Sequence, residues 1–122
     1  MTAPCTYQLH IHLRQTVEIR IGALGLHRFP AGDYIYTGSA KRNIEARVRR
    51  HCRREKRVRW HIDYLLHHPA ASVVKTTLSS WAECRLNQST AGEILVPGFG
   101  ASDCRQGCGS HLKYIAASGC SG

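Results

Sequence analysis

The chain opens on strict alternation. Tyr7, Leu9, Ile11 and Leu13 are separated by Gln8, His10 and His12, with Arg14 just beyond, so residues 6–13 predict a half-buried strand. Val17, Ile19 and Ile21 against Glu18 and Arg20 repeat the pattern over 17–21. The short link between the two predicts a hairpin. Pro30, Gly32 and Asp33 punctuate the next turn, and Tyr34-Ile35-Tyr36-Thr37 reads as a third strand ended by Gly38. A three-stranded antiparallel meander is the simplest assembly of these segments.

From about 40 to 54 the period becomes helical, with Ala40, Ile44, Val48 and Cys52 recurring every four residues as a core stripe. A charged break at 55–59 precedes a second helix over 60–67, with Ile62, Leu65 and Leu66 inward and Pro69 as its stop. The β-branched run from Val73 to Leu78 predicts a fourth strand, 80–89 a short helix, and Leu112 to Ala116 a last strand. Pro97-Gly98-Phe99-Gly100 is a loop, and the tail 117–122 is expected to be disordered. The fold class is therefore mixed α/β (α+β).

Length bounds this further. The 122 residues form a single domain, with no room for a second core. With 43% apolar and 20% charged residues the composition is globular. No apolar run approaches the roughly 18 residues that cross a bilayer, so no membrane association is expected. The start, Met1-Thr2-Ala3-Pro4-Cys5, has neither a basic nor an apolar leader region, which predicts a cytoplasmic protein. Six cysteines in that setting read as reduced thiols or metal ligands rather than disulfides.

The charge is uneven. Of a net +9, segment 41–59 (KRNIEARVRRHCRREKRVR) carries ten basic and two acidic residues, leaving a net of only +1 for the rest. A patch this dense favours a polyanion, since displacing counterions from phosphates yields free energy in proportion to the contacts made. A solvated, self-repelling helix face, or adhesion to acidic lipid, is the bland alternative.

Helical geometry sorts the basic side chains. At about 100° per residue from Ile44, Arg42, Arg49, Arg50 and Arg53 point away from the apolar stripe. Arg47 and His51 fall beside it, one turn apart, along the helix–sheet seam. An arginine held there suits a bidentate clamp on a phosphate; equally, Arg47 could snorkel over the core edge and His51 pack as an ordinary imidazole. Tyr7, Tyr34 and Tyr36 read as core-facing strand residues. Ser80-x-x-Glu83 has the form of a capping box, which would make Glu83 a helix cap and nothing more. Cys104, Cys108 and His111, with Cys84 or His61 as a fourth ligand, have a loose spacing for zinc.

Taken in order, Tyr7, then Tyr36-Thr37-Gly38-Ser39-Ala40, then Arg47 and His51 nine and thirteen residues after Gly38, resemble the GIY-YIG nuclease superfamily. GDYIYTGSA, RRHCRREKRVRWHIDYLL, the Glu83-Cys84 pair, PGFGASDC and SHL extend the likeness from Tyr7 to about Tyr114. The likeness is to the small branch found alone or joined to endonuclease III-type repair proteins. The first motif here reads Cys5-Thr6-Tyr7, and Thr37 stands where isoleucine is usual. The resemblance implies a three-stranded antiparallel sheet flanked by helices, with an irregular C-terminal extension. It also implies divalent-metal cleavage of DNA, structured or damaged, a part in repair, and so a nucleoid-associated location. Carried over by position, Tyr7 and Tyr36 handle the attacking water and Arg47 stabilises charge on the scissile phosphate. His51 assists proton transfer or grips the phosphate, and Glu83 is the single carboxylate ligand of one Mg²⁺ or Mn²⁺. A tyrosine with an ordinary pKa of about 10 is a poor base, so nearby cations are expected to lower it. Superfamily members often carry a late asparagine; Asn87, Ser102 and Asp103 are the candidates for its place.

The residues expected to line the nucleic acid are Gly38, Ser39, Lys41, Arg42, Arg49, Arg50, Arg53, Arg54, Lys56 and Arg57. Two other readings stay open: a non-catalytic nucleic-acid-binding domain built on patch 41–59, and an interaction domain stabilised by zinc on Cys104, Cys108 and His111.

Overall fold

A computed structural model describes residues 5–40, 42–53, 61–99 and 110–117. In chain order these form β1 (Thr6–Leu13), β2 (Val17–Arg20), β3 (Leu26–Phe29), β4 (Gly32–Ser39), α1 (Ile44–Cys52), α2 (His61–Leu66), β5 (Ala71–Ser79), α3 (Glu83–Ser89) and β6 (Leu112–Ala117). The fold is mixed α+β. None of the described helices is long and apolar enough to cross a membrane.

The main sheet has four strands in the order β5-β1-β4-β6, every neighbour antiparallel. The expected three-stranded meander does not form. β4 pairs directly with β1 over eight positions, Thr6↔Ser39 to Leu13↔Gly32. β2 leaves the sheet to pair with β3 in a two-stranded ribbon of its own. The link between β2 and β3 is a 3-10 turn over Gly22–Leu24, with Gly22 and Gly25 at positive φ. Leu26-His27-Arg28-Phe29 lacks alternation, so β3 carries no strand signal of its own. The third core strand and the two edge strands, by contrast, lie where their apolar runs put them.

Alternation decides which face of the sheet is dry. Tyr7, Leu9, Ile11 and Leu13 are all at most 2% exposed, and Tyr34 and Tyr36 stand opposite Ile11 and Leu9 on the same face. Ile62, Leu65 and Leu66 of α2 close over them, with Phe29, Val96 and Phe99 completing the core. The other face is polar and takes α3 by hydrogen bonds. Gln8 donates to Thr37 Oγ1 at 3.1 Å and Thr90 Oγ1 at 2.7 Å. Lys113 Nζ, itself buried, donates to the carbonyls of Asn87 and Thr90 at 3.1 Å each.

α1 departs from its expected stripe. Asn43 caps it from the left-handed region, φ 51°, its side chain accepting from the Ala46 N–H at 3.3 Å. Ile44 and Val48 are only half-buried and Cys52 is exposed, whereas His51 is the buried residue of the helix. The helix is turned toward its Arg47–His51 flank because the buried hydroxyl of Tyr7 needs a polar partner, which an aliphatic stripe cannot supply.

Arg50 was expected on the outer face, free for nucleic acid. Instead its guanidinium makes a bidentate pair with Asp63 of α2, 3.1 Å to each oxygen, and the carboxylate is wholly buried. α1 and α2 are thereby pinned to each other. Removing the arginine strands a buried anion. Arg50→Ala should cost about 3 kcal/mol in a urea melt, whereas exposed Arg49→Ala should leave the midpoint unchanged.

Candidate active site

Tyr7 and Gly38 face each other across the β1–β4 ladder. A Cβ on Gly38 would lie 2.4 Å from the Tyr7 hydroxyl oxygen and 2.5 Å from Cζ. Glycine is thus required here by close approach, not by backbone angle. The phenol crosses over the bare α-carbon and reaches His51 of α1, its hydroxyl 2.7 Å from Nε2. Tyr36 completes a ring cluster, with centroids 6.5 Å from Tyr7 and 6.1 Å from His51; Tyr7 and His51 are 5.3 Å apart.

Two charged groups flank the cluster. Arg47, half-buried on α1, donates from Nη1 to the Ser39 carbonyl at 2.8 Å and bears on the Tyr7 hydroxyl by charge and hydrogen bonding. Glu83 is the first residue of α3. The cap residue is Ala82, which offers no side-chain bond. A capping box requires its glutamate three residues inside the cap, so Glu83 is released from that role. Its carboxylate pairs with His111 Nδ1 at 3.3 Å and lies close enough to raise the pKa of both phenols.

All these groups gather at one end of the sheet, where β1 and β6 begin and β4 and β5 finish. The structure therefore brings together Tyr7, Tyr36, Arg47, His51 and Glu83. His111 joins them by pairing with Glu83; the resemblance implied that the Ser110-His111 stretch lines this cleft, with no catalytic role. The imidazole is 1% exposed and its Nε2 has no hydrogen-bond partner among the described residues. Asn87 stands one turn along α3 from Glu83, fully buried, donating to the Ser110 carbonyl at 2.8 Å while its Oδ1 has no partner among the described residues. The four-residue step from Glu83 to Asn87 was the available signal. Ser102 and Asp103 lie outside the described residues.

Burial raises the pKa of both Tyr7 and Tyr36. Arg47 opposes the rise, Glu83 and Asp63 add to it, and burial prevails. Of the cations expected to lower a tyrosine, Arg47 does so but is outweighed by burial. Both side chains are phenols at neutral pH. Tyr34 is raised as well, chiefly by burial. A group held protonated in the fold contributes stability that is complete below its unfolded pKa and is lost as pH climbs from there toward the folded value. Thermal stability should thus fall as pH rises past about 10, with phenolate absorbance appearing together with unfolding. Tyr7→Phe should soften that fall.

The nucleic-acid candidates divide. Ser39, Arg42, Arg49 and Arg53 are exposed. Gly38 is buried beneath Tyr7, and Arg50 is paired with the buried Asp63. Lys41, Arg54, Lys56 and Arg57 lie outside the described residues, as do Cys104 and Cys108. Of their proposed companions, His111 serves Glu83, His61 packs on Phe99 with centroids 5.7 Å apart, and Cys84 is half-buried. Among the described residues no three histidine, cysteine or acidic side chains are grouped as metal ligands.

The family described as domain of unknown function DUF123 matches residues 6–121. The chain belongs to this family. No curated protein and no solved structure matches it. The matched stretch runs from the first residue of β1 through β6, so the whole site lies within the DUF123 domain. Its geometry depends on one missing methyl group. Gly38→Ala should destabilise the domain by about 1–3 kcal/mol through displacement of Tyr7. In a Tyr7→Leu background the same change should cost less, a coupling that a double-mutant cycle reads directly.

Proposed function

We propose that this DUF123 domain is a divalent-metal-dependent endonuclease of the GIY-YIG type, hydrolysing phosphodiester bonds of DNA. The observation that carries the reading is the convergence of Tyr7, Tyr36, His51, Arg47 and Glu83 at one end of the sheet, arranged around Gly38. These are the residues and the order on which the GIY-YIG resemblance rests. The exposed Arg42, Arg49 and Arg53 supply a phosphate-binding surface next to it.

The donor set fits magnesium or manganese better than zinc. Glu83 offers one partly exposed carboxylate, 28% accessible. Such ions take one or two carboxylates and fill the remaining positions with water and substrate oxygens. Bound there, the cation would supply Lewis-acid stabilisation of charge on the phosphate.

Proton traffic follows from the site's own residues. Tyr7 is a phenol at neutral pH, so it accepts a proton from the attacking water only by giving up its own. His51 Nε2, 2.7 Å away, is placed to receive that proton. The water oxygen bonds to phosphorus, the bond from phosphorus to the leaving sugar oxygen breaks, and its electron pair departs with that oxygen, which is protonated from solvent. Arg47 stabilises the negative charge that builds on the phosphoryl oxygens. Tyr36, behind Tyr7 and almost wholly buried, holds the first phenol in place.

Supercoiled, flapped, damaged and intact duplex DNA, each with Mg²⁺ or Mn²⁺, form the test. Strand cleavage is expected on at least one. Arg47→Ala and Glu83→Gln should lower its rate roughly 100-fold or more, and Arg49→Ala far less. Uncut DNA across the panel at saturating protein would refute the reading in favour of a binding domain built on the basic patch. An equal loss for Arg47→Ala and Arg49→Ala would make Arg47 one more phosphate contact.

A further inference from the structure

Beside this site stands a side chain that cleavage leaves unused. Trp81 precedes Glu83 by two residues, in the link from β5 to α3. Its backbone is held on both sides: the N–H donates to Ser79 Oγ at 3.0 Å, and the carbonyl accepts from the Thr6 hydroxyl at 2.5 Å. Thr6 is the neighbour of Tyr7. The indole is nonetheless 44% exposed. Arg85, one turn on, lays its guanidinium 4.5 Å from the ring centroid. Leu78, opposite Tyr7 in the β1–β5 ladder, is 46% exposed. An open hollow of about 550 Å³ has both Glu83 and Arg85 in its lining.

An exposed indole on an anchored backbone loses little entropy on binding, since only two side-chain torsions remain to be fixed. Its surroundings say what it binds. A cation lies against the ring, the chain carries a net charge of +9, and the proposed ester-cleaving groups are adjacent. These features fit a polyanion that also presents flat aromatic faces.

We propose that Trp81, with Arg85 against it, is a stacking site for an unpaired base of the DNA whose backbone enters between Tyr7, Arg47 and Glu83. The inference rests on the reading above for the identity of that polymer. A base inside an intact duplex has both faces covered by its neighbours, so it has none to offer an indole. The site therefore selects DNA with single-stranded, flapped or extrahelical nucleotides close to the bond to be cut. Arg85 stacks or meets a flanking phosphate as its planar fork allows.

The test is binding, measured by fluorescence anisotropy with EDTA present so that no cutting occurs. The probes are labelled single-stranded, gapped and intact duplex DNA of equal length. Wild-type protein should prefer the first two. Trp81→Ala should weaken those two about 10-fold or more and leave the intact duplex unchanged. Trp81→Phe should keep most of the preference, and Trp81→Leu, similar in apolar area but without a stacking face, should lose it. The Phe and Leu comparison keeps the outcome decisive even if the alanine variant misfolds. No preference in the wild type, no effect of Trp81, or an equal loss on all three probes would overturn the inference. Preference without any cleavage in Mg²⁺ or Mn²⁺ would refute the nuclease reading and leave the stacking site standing; cleavage indifferent to Trp81 would do the reverse.

Discussion

One close contact organises this molecule: the Tyr7 ring lying over the bare α-carbon of Gly38, with its hydroxyl on His51. β1, β4 and α1 meet there. The contact needs three things at once, namely a strand position with no Cβ, an aromatic on the facing strand and a helix turned to present a ring nitrogen. A buried hydroxyl without a partner costs about 1–3 kcal/mol, enough to favour the helix orientation that supplies one. That orientation leaves Cys52 in solvent and Ile44 only half-covered.

The same accounting governs the charges nearby. Asp63 is fully buried and holds Arg50; Glu83 is partly buried and holds His111. Each pair ties two elements, α1 to α2 and α3 to the start of β6. Arg47 stays half-buried on the seam, bonded to a backbone carbonyl and bearing on a phenol. Burial meanwhile keeps both phenols protonated at neutral pH.

The site sits at the end of the sheet, where the apolar and polar faces both open. α1 supplies its groups from one side and α3 from the other, which is how residues from β1, β4, α1, α3 and β6 come within reach of one another. The link from β5 to α3 borders the same opening. Trp81 thus stands at the rim, and its exposure is a property of where the sheet ends rather than of a core too small to cover it.

Periodicity alone determined a good deal. Strict alternation located β1, and its inward face of Tyr7, Leu9, Ile11 and Leu13 is the buried one, because a two-residue repeat fixes sidedness wherever a sheet has one dry face. The mixed α+β class and the segments of β4, β5, α3 and β6 were legible too, from the composition and punctuation of each stretch. What pairs with what was not. A strand's pattern records its own burial but not its neighbour, so the meander gave way to a direct β1–β4 ladder, and β3, with no alternation, was invisible. Likewise the sequence named Tyr7, Tyr36, Arg47, His51 and Glu83, but the three-residue step from Ser80 to Glu83 could not separate a capping glutamate from one placed near the phenols. Nor could helical angle tell Arg50, bound to a buried acid, from its exposed neighbours. Those choices depend on partners distant in the chain, and only packing in three dimensions brings such partners together.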